Sequence, residues 1–192
     1  MNIPNRITLS RIFLIPIFIV LLAAPFDWGI LDIGERELPV SHLAAALLFI
    51  LASTTDWIDG YYARKHNLVT NLGKFLDPMA DKLLVSAAFI LLVEIGFAPA
   101  WVVIIIISRE FAVTGLRLVA AGEGVVLAAG QMGKLKTVLQ IVSISALLLH
   151  NYPFSYLGIP FDQITLYLAL IITVISGVDY FVKNWHVMRE SK

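Results

Sequence analysis

The chain contains no cysteine, so neither a disulfide framework nor a thiolate metal site is open to it. Charge is scarce: Asp, Glu, Lys and Arg make up 15% of 192 residues, against about a quarter in soluble domains. The 14 basic and 14 acidic side chains cancel, so no net field points to nucleic acid. Low-complexity tracts, internal repeats and a polar stretch long enough for a soluble domain are also missing. The four histidines, His42, His66, His150 and His186, are scattered and form no metal set. Gly122-Glu123-Gly124 is too short for a phosphate loop. The apolar run 12–24 is followed by Pro25, Phe26 and Asp27 rather than a small-residue cleavage site, so it is expected to be a retained span and not a cleaved leader.

What is there is apolar. Hydrophobic residues make up 59% of the chain and mean hydropathy is +0.85. These values predict one domain over residues 1–192, embedded in a membrane. A helix needs about 20 apolar residues to cross a hydrocarbon core of ~30 Å. Six segments come close: 9–25, with Pro16 inside it; 43 onward into an acidic stretch; 83–97; 99–111, with Pro99 in the first turn; 137–149; and 164–182. The third and fifth are short and are expected to extend through polar, protein-facing turns. The expected fold class is all-α, a polytopic membrane protein with six transmembrane helices.

Lys and Arg near span ends mark the cytoplasmic side. Arg6 and Arg11 stand at the N-terminus, Arg64, Lys65, Lys74 and Lys82 after span two, Lys134 and Lys136 before span five, and Lys183, Arg189 and Lys192 in the tail. The alternate loops are poor in them: Arg36 stands among Asp27, Asp32, Glu35 and Glu37, Glu94 stands alone, and 151–163 has neither Lys nor Arg. Both termini and the acidic stretch are therefore expected on the cytoplasmic face of a cell membrane. Trp28, Trp101, Tyr152, Tyr156 and Trp185 fall near span ends, as interfacial anchors do.

The acidic stretch carries Asp56, Asp59, Asp77 and Asp81. Asp56 and Asp59 are three apart and share a helix face with Gly60 and Ala63; Asp77 and Asp81, four apart, share another. Asp77-Pro78 has the form of a helix start, and Lys65 to Leu72 that of a turn, so two antiparallel helices would bring both acidic pairs to one end. Four carboxylates repel unless cations compensate them, and acids within spans are functional by default. Oxygen donors without His or Cys favour Mg²⁺, Mn²⁺ or Ca²⁺, and four carboxylates can hold two such ions, as suits displacement at phosphorus. Gly60 and Ala63 leave room for a ligand against the helix, and Arg64 adds a phosphate donor. Alternatively, the acids pair with Lys74, Lys82 and Arg64 as an interfacial ion network.

The pattern D-x2-D-G-x2-A-R-x8-G-x3-D-x3-D resembles that of the CDP-alcohol phosphotransferase family. Asp56, Asp59, Gly60, Ala63, Arg64, Gly73, Asp77 and Asp81 match it without a gap or substitution. The resemblance implies the CDP-alcohol phosphotransferase fold, a homodimer, and two divalent ions, Mg²⁺ or Mn²⁺, ligated by Asp56, Asp59 and Asp77, with Asp81 as ligand and general base. It places Gly60, Ala63 and Arg64 against the CDP moiety and Thr70 at its diphosphate. Asn5 and Thr8 are either nucleotide contacts of the CDP-diacylglycerol site or plain helix-start residues.

The acceptor is a separate question. The segments from Met1 to Arg11, from Ser108 to Arg117 and from Gly133 to Thr137 resemble those of the phosphatidylglycerophosphate synthase branch, whose acceptor is glycerol 3-phosphate. Arg109 and Arg117 are eight apart, roughly one helix face, and Lys134 or Lys136 could join them around a phosphate. The plainer alternatives are an ion pair of Arg109 with Glu110 or Glu94, an Arg117 that snorkels, and lysines that are ordinary cytoplasmic charges. Two rival functions stand beside this one. A sister enzyme would use phosphatidylglycerol, inositol phosphate or serine, and a divalent-cation or proton transporter would need acids at mid-membrane in two related halves. Asp162 is expected to cap a helix, and Asp179 to pair with Lys183 at i, i+4.

Overall fold

A computed structural model describes residues 3–33, 36–65, 71–125, 127 and 130–185; for 3–9, 33, 36, 56–65, 71–78 and 81 it describes the backbone alone. The apolar segments form helices α1 (Ile3–Ala23), α2 (Val40–Lys65), α3 (Asn71–Glu94), α4 (Ala100–Gly122), α5 (Gln131–Leu148) and α6 (Phe161–Lys183). Between α1 and α2 lies a hairpin of β1 (Ile30–Ile33) and β2 (Arg36–Pro39), antiparallel, with Leu31 opposite Leu38 and Ile33 opposite Arg36.

From α2 onward the helices alternate in direction, and specific contacts at each end show it. His42 at the start of α2 meets His150 just past α5, Nδ1 to Nε2 at 2.8 Å, and both rings stand edge-on to Phe97 just past α3. Trp101 near the start of α4 lies beside Tyr167 near the start of α6, the rings tilted by 38° at 6.3 Å between centroids. At the opposite end Arg117 of α4 meets Tyr180 of α6, and Lys82 of α3 meets Thr114 of α4. The C-terminal end of α2 and the N-terminal part of α3, where the motif aspartates fall, therefore belong to the end that holds Arg117 and Tyr180.

The core is built of small residues and a few large ones. On α2, Ala45, Ala46, Phe49 and Ala52 face inward and Phe49 packs against Phe18 of α1, while Leu47 and Leu51 are 53% and 66% exposed. On α6 the pattern is sharper: Thr165, Ala169, Thr173, Ser176 and Gly177 are buried, and Ile164, Leu168, Ile171, Ile175, Val178 and Val182 are exposed. Small side chains let backbones approach closely, and α6 makes its most extensive packing with α5. Two of the buried hydroxyls on α6 bond locally: Thr165 Oγ1 donates to Phe161 O at 2.8 Å and Ser176 Oγ to Thr173 O at 3.0 Å. Among the described residues α6 alone is long and apolar enough, by length and composition, to cross a membrane, with a mean hydropathy of 1.9.

The six helices accord with the all-α class, and the short β1–β2 hairpin is a local addition to it, with Gly34-Glu35 between two four-residue runs as its Gly-X sequence signal. Several sequence expectations need correction. Helix α3 starts at Asn71, six residues before Asp77, so Pro78 is interior and not a first-turn residue. Leu72, Phe75, Leu76 and Met79 recur at i, i+3, i+4 and i+7, and this helical period outweighs the Asp-Pro start signal. Helix α5 starts at Gln131, which puts Lys134 and Lys136 on a helix and not in the preceding loop. Pro99 is the N-cap of α4 in extended conformation, with φ −66° and ψ 132°, one residue outside the first turn. Asp162 lies within the first turn of α6, whose N-cap is Pro160, and its carboxylate accepts the Gln163 N–H at 2.8 Å.

Candidate active site

Helix α4 brings Arg109, Glu110, Thr114 and Arg117 into an otherwise apolar bundle, and each finds a polar partner on a neighbouring helix. Glu110 is the hub. Its Oε1 accepts from Lys136 Nζ of α5, from Arg109 Nη1 at 3.4 Å and from Gln140 Nε2 at 3.5 Å. The side chains of Lys136, Arg109 and Glu110 are 9%, 11% and 15% exposed, so this ion cluster is shielded from solvent. Gln140, one turn beyond Lys136, also donates to Thr173 Oγ1 of α6 at 3.2 Å and ties the cluster to the third helix. Thr114 Oγ1 donates to Glu110 O at 2.6 Å and accepts from Lys82 Nζ of α3.

The two arginines are seated on α6. Arg109 Nη2 donates to Ser176 Oγ at 2.9 Å, and Arg117 Nε donates to Tyr180 Oη at 2.9 Å with its Cζ 5.2 Å from the ring centroid. A Cβ on Gly177 would stand 2.9 Å from Arg109 Cγ, so glycine is what lets that side chain cross α6. Arg109 Nε is buried without a partner among the described residues. On its far side α4 and α6 flank an apolar cavity of about 740 Å³, lined by Ser108, Arg109, Ala112, Val174, Gly177 and Trp185 among others.

Of the acceptor candidates, Arg109 and Lys136 are drawn into one polar system through Glu110, Arg117 is held by Tyr180 of α6, and Arg109 is ion-paired with Glu110 as the plainer alternative foresaw. Lys134 is exposed, half a turn from buried Lys136, and joins none of these bonds. Asp179 pairs with Lys183 at 2.8 Å on the exposed face, as expected from their spacing. Glu110 entered the sequence reading only as a partner for Arg109; Gln140, Thr173, Ser176, Gly177 and Tyr180 did not enter it. Polar or small residues at helical spacing in apolar spans were the available signal.

The motif itself is described through its backbone. Asp56, Asp59, Gly60, Ala63 and Arg64 fall in the last third of α2, and Gly73, Asp77 and Asp81 in the first half of α3. Asn5 and Thr8 fall in the first turns of α1. The side chains of these residues, and Thr70 altogether, lie outside the described residues. The helical registers hold: Asp56 and Asp59 are three apart on one helix, Asp77 and Asp81 four apart on the next. Asp81 directly precedes Lys82, whose bond to Thr114 fixes this part of α3 against the cationic part of α4. A carboxylate-only donor set of this kind fits hard divalent cations. Among the described residues no group of three or more His, Asp or Glu forms a metal site.

Comparison with known proteins agrees with the motif. The family model of CDP-alcohol phosphatidyltransferase matches residues 1–175. The CDP-diacylglycerol–glycerol-3-phosphate 3-phosphatidyltransferase of Bacillus subtilis (strain 168) is 64% identical over 190 residues, 99% of this chain and 98% of that one. Proteins of the same name from Rickettsia typhi (strain Wilmington) and Shigella flexneri serotype 5b are 41% and 36% identical, over 94% and 93% of this chain and 95% and 92% of theirs. With a match that runs through the acidic motif and nearly end to end, the chain belongs to the CDP-alcohol phosphatidyltransferase family.

Proposed function

We propose that this chain is an enzyme of phospholipid biosynthesis that transfers the phosphatidyl group of CDP-diacylglycerol to glycerol 3-phosphate, giving phosphatidylglycerophosphate and CMP. The observation that carries it is the 64% identity, across 99% of the chain, to the Bacillus subtilis enzyme of that name. The cluster of Arg109, Arg117 and Lys136 beside the acid-bearing end of α3 supports an acceptor that brings its own phosphate. Phosphatidylglycerol also carries a phosphate, so this cluster argues chiefly against serine.

Asp56, Asp59, Asp77 and Asp81 would hold two divalent ions, Mg²⁺ or Mn²⁺, which when bound supply charge neutralisation at the diphosphate. Gly60, Ala63, Arg64 and Thr70, with Asn5 and Thr8, bind the CDP-diacylglycerol headgroup. Arg109, Arg117 and Lys136 bind the phosphate of glycerol 3-phosphate and orient its C1 hydroxyl, while Lys134 faces away from Lys136 on α5. Asp81 takes the proton of that hydroxyl as its oxygen bonds to the phosphorus attached to the lipid. The bond from this phosphorus to the bridging oxygen breaks, and CMP leaves.

The same reading places the protein in the cell membrane as six spans. The helices have 18 to 26 residues, about 27 to 39 Å, against a hydrocarbon core of ~30 Å. The inside-out face of α6, with Thr and Ser buried and Ile and Val exposed, suits lipid as solvent better than water. Loop charges orient the termini and the motif to the cytoplasm. A homodimer is the family expectation. The test is CMP release by the purified protein given CDP-diacylglycerol and, separately, glycerol 3-phosphate, phosphatidylglycerol, inositol phosphate and serine. Glycerol 3-phosphate is expected to be the productive acceptor, and turnover with any of the others in its place would overturn the assignment.

A further inference from the structure

Arg109 and Arg117 are long, flexible side chains, and binding one phosphate between them requires that both be aimed. We propose that Ser176, Gly177 and Tyr180 of α6 are positioning residues for these arginines, and that they thereby set the affinity for a phosphate-bearing acceptor; this rests on the acceptor assignment above.

Register is the first support. Arg109 and Arg117 are eight residues apart on α4, a rise of about 12 Å, whereas Ser176 and Tyr180 are four apart on the parallel α6, about 6 Å. The partners on α6 thus stand closer along the axis than the two arginines that reach them. Tyr180 is buried, and it holds Arg117 twice: its hydroxyl accepts from Nε, and its ring lies 5.2 Å from Cζ. Neither Nη of Arg117 has a hydrogen bond among the described residues, so the forked end that suits a phosphate stays available. Arg109 is held by shape as well as by bonding. Only the missing Cβ of Gly177 lets its stem pass, since that atom would stand 2.9 Å from Cγ and 3.3 Å from Nε. Its Nη2 then reaches Ser176 Oγ at 2.9 Å.

Ordinary helix packing would produce the same contacts without the same kinetics. The experiment measures CMP release by the purified full-length protein in lipid nanodiscs, varying glycerol 3-phosphate at saturating CDP-diacylglycerol and the reverse. Tyr180→Phe keeps the ring and removes the hydroxyl; it is expected to raise KM for glycerol 3-phosphate roughly five- to tenfold and to change KM for CDP-diacylglycerol less than about twofold. Gly177→Ala is expected to do the same by displacing Arg109. Because the tyrosine acts through Arg117, adding Tyr180→Phe to Arg117→Lys should raise KM less than about twofold further. Additive effects, or equal changes in both KM values, would overturn the proposal in favour of packing alone. If Arg117→Lys raises KM for glycerol 3-phosphate and Tyr180→Phe does not, the positioning role fails and the acceptor assignment stands. If Arg117→Lys leaves that KM unchanged, the acceptor assignment itself fails and the proposal with it.

Discussion

Glu110 of α4 accepts a hydrogen bond from Lys136 of α5, 26 residues away, in a site where both side chains are at most 15% exposed. Removing one partner of a buried ion pair costs about 3–5 kcal/mol, because the other charge is left uncompensated. Glu110→Ala strands Lys136 and Arg109 together and is expected to lower the thermal midpoint sharply in detergent. The double variant Glu110→Gln/Lys136→Met removes both charges and should recover much of the loss. A double variant no more stable than Glu110→Ala would show that the pair does not hold α4 to α5.

As the proposed general base, Asp81 has a role that Asn cannot fill. Asn has nearly the same shape as Asp but accepts no proton at neutral pH, and loss of a general base costs about 10²- to 10⁴-fold in rate. Asp81→Asn is therefore expected to retain CDP-diacylglycerol binding, followed by equilibrium titration, while CMP release falls by that order. Near-normal turnover would remove Asp81 from the base position.

A charge-assisted hydrogen bond contributes about 1.5–3 kcal/mol, or roughly 10- to 100-fold in affinity. Arg117→Ala should raise KM for glycerol 3-phosphate by this amount and leave KM for CDP-diacylglycerol almost unchanged. Equal effects on both substrates would place Arg117 outside the acceptor site.

Metal dependence is tested directly. Four carboxylates within 26 residues of an apolar chain require compensating charge, and their oxygen-only chemistry suits Mg²⁺ or Mn²⁺. EDTA should abolish turnover, and either ion added in excess should restore it. Activity that persists in EDTA-treated protein would contradict the two-ion site.

Sidedness can be read with single cysteines, because the chain has none of its own. Tyr156 is 64% exposed in the turn before α6, and Gln131 is exposed at the start of α5. Tyr156→Cys should react with a membrane-impermeant maleimide in intact cells, and Gln131→Cys only after permeabilisation. Labelling of both from one side would refute the alternating topology.

The Asp56–Asp81 motif was legible in the sequence because its information is local. Spacings of three and four place carboxylates on helix faces whatever the surroundings, and eight matching residues at fixed intervals identify the family. The six helices were legible for the same reason, since apolar runs of this length have few other solutions. Helix starts were less so: Asp77-Pro78 imitates a cap, but the period of Leu72, Phe75, Leu76 and Met79 carries α3 back to Asn71. The tertiary structure alone decided which polar residues meet between helices. Lys136 reaches Glu110 across 26 residues, Arg109 reaches Ser176 across 67, and Arg117 reaches Tyr180 across 63. No local period encodes such distances. They follow from α4, α5 and α6 packing against one another, and that packing turns a basic span into a shaped site.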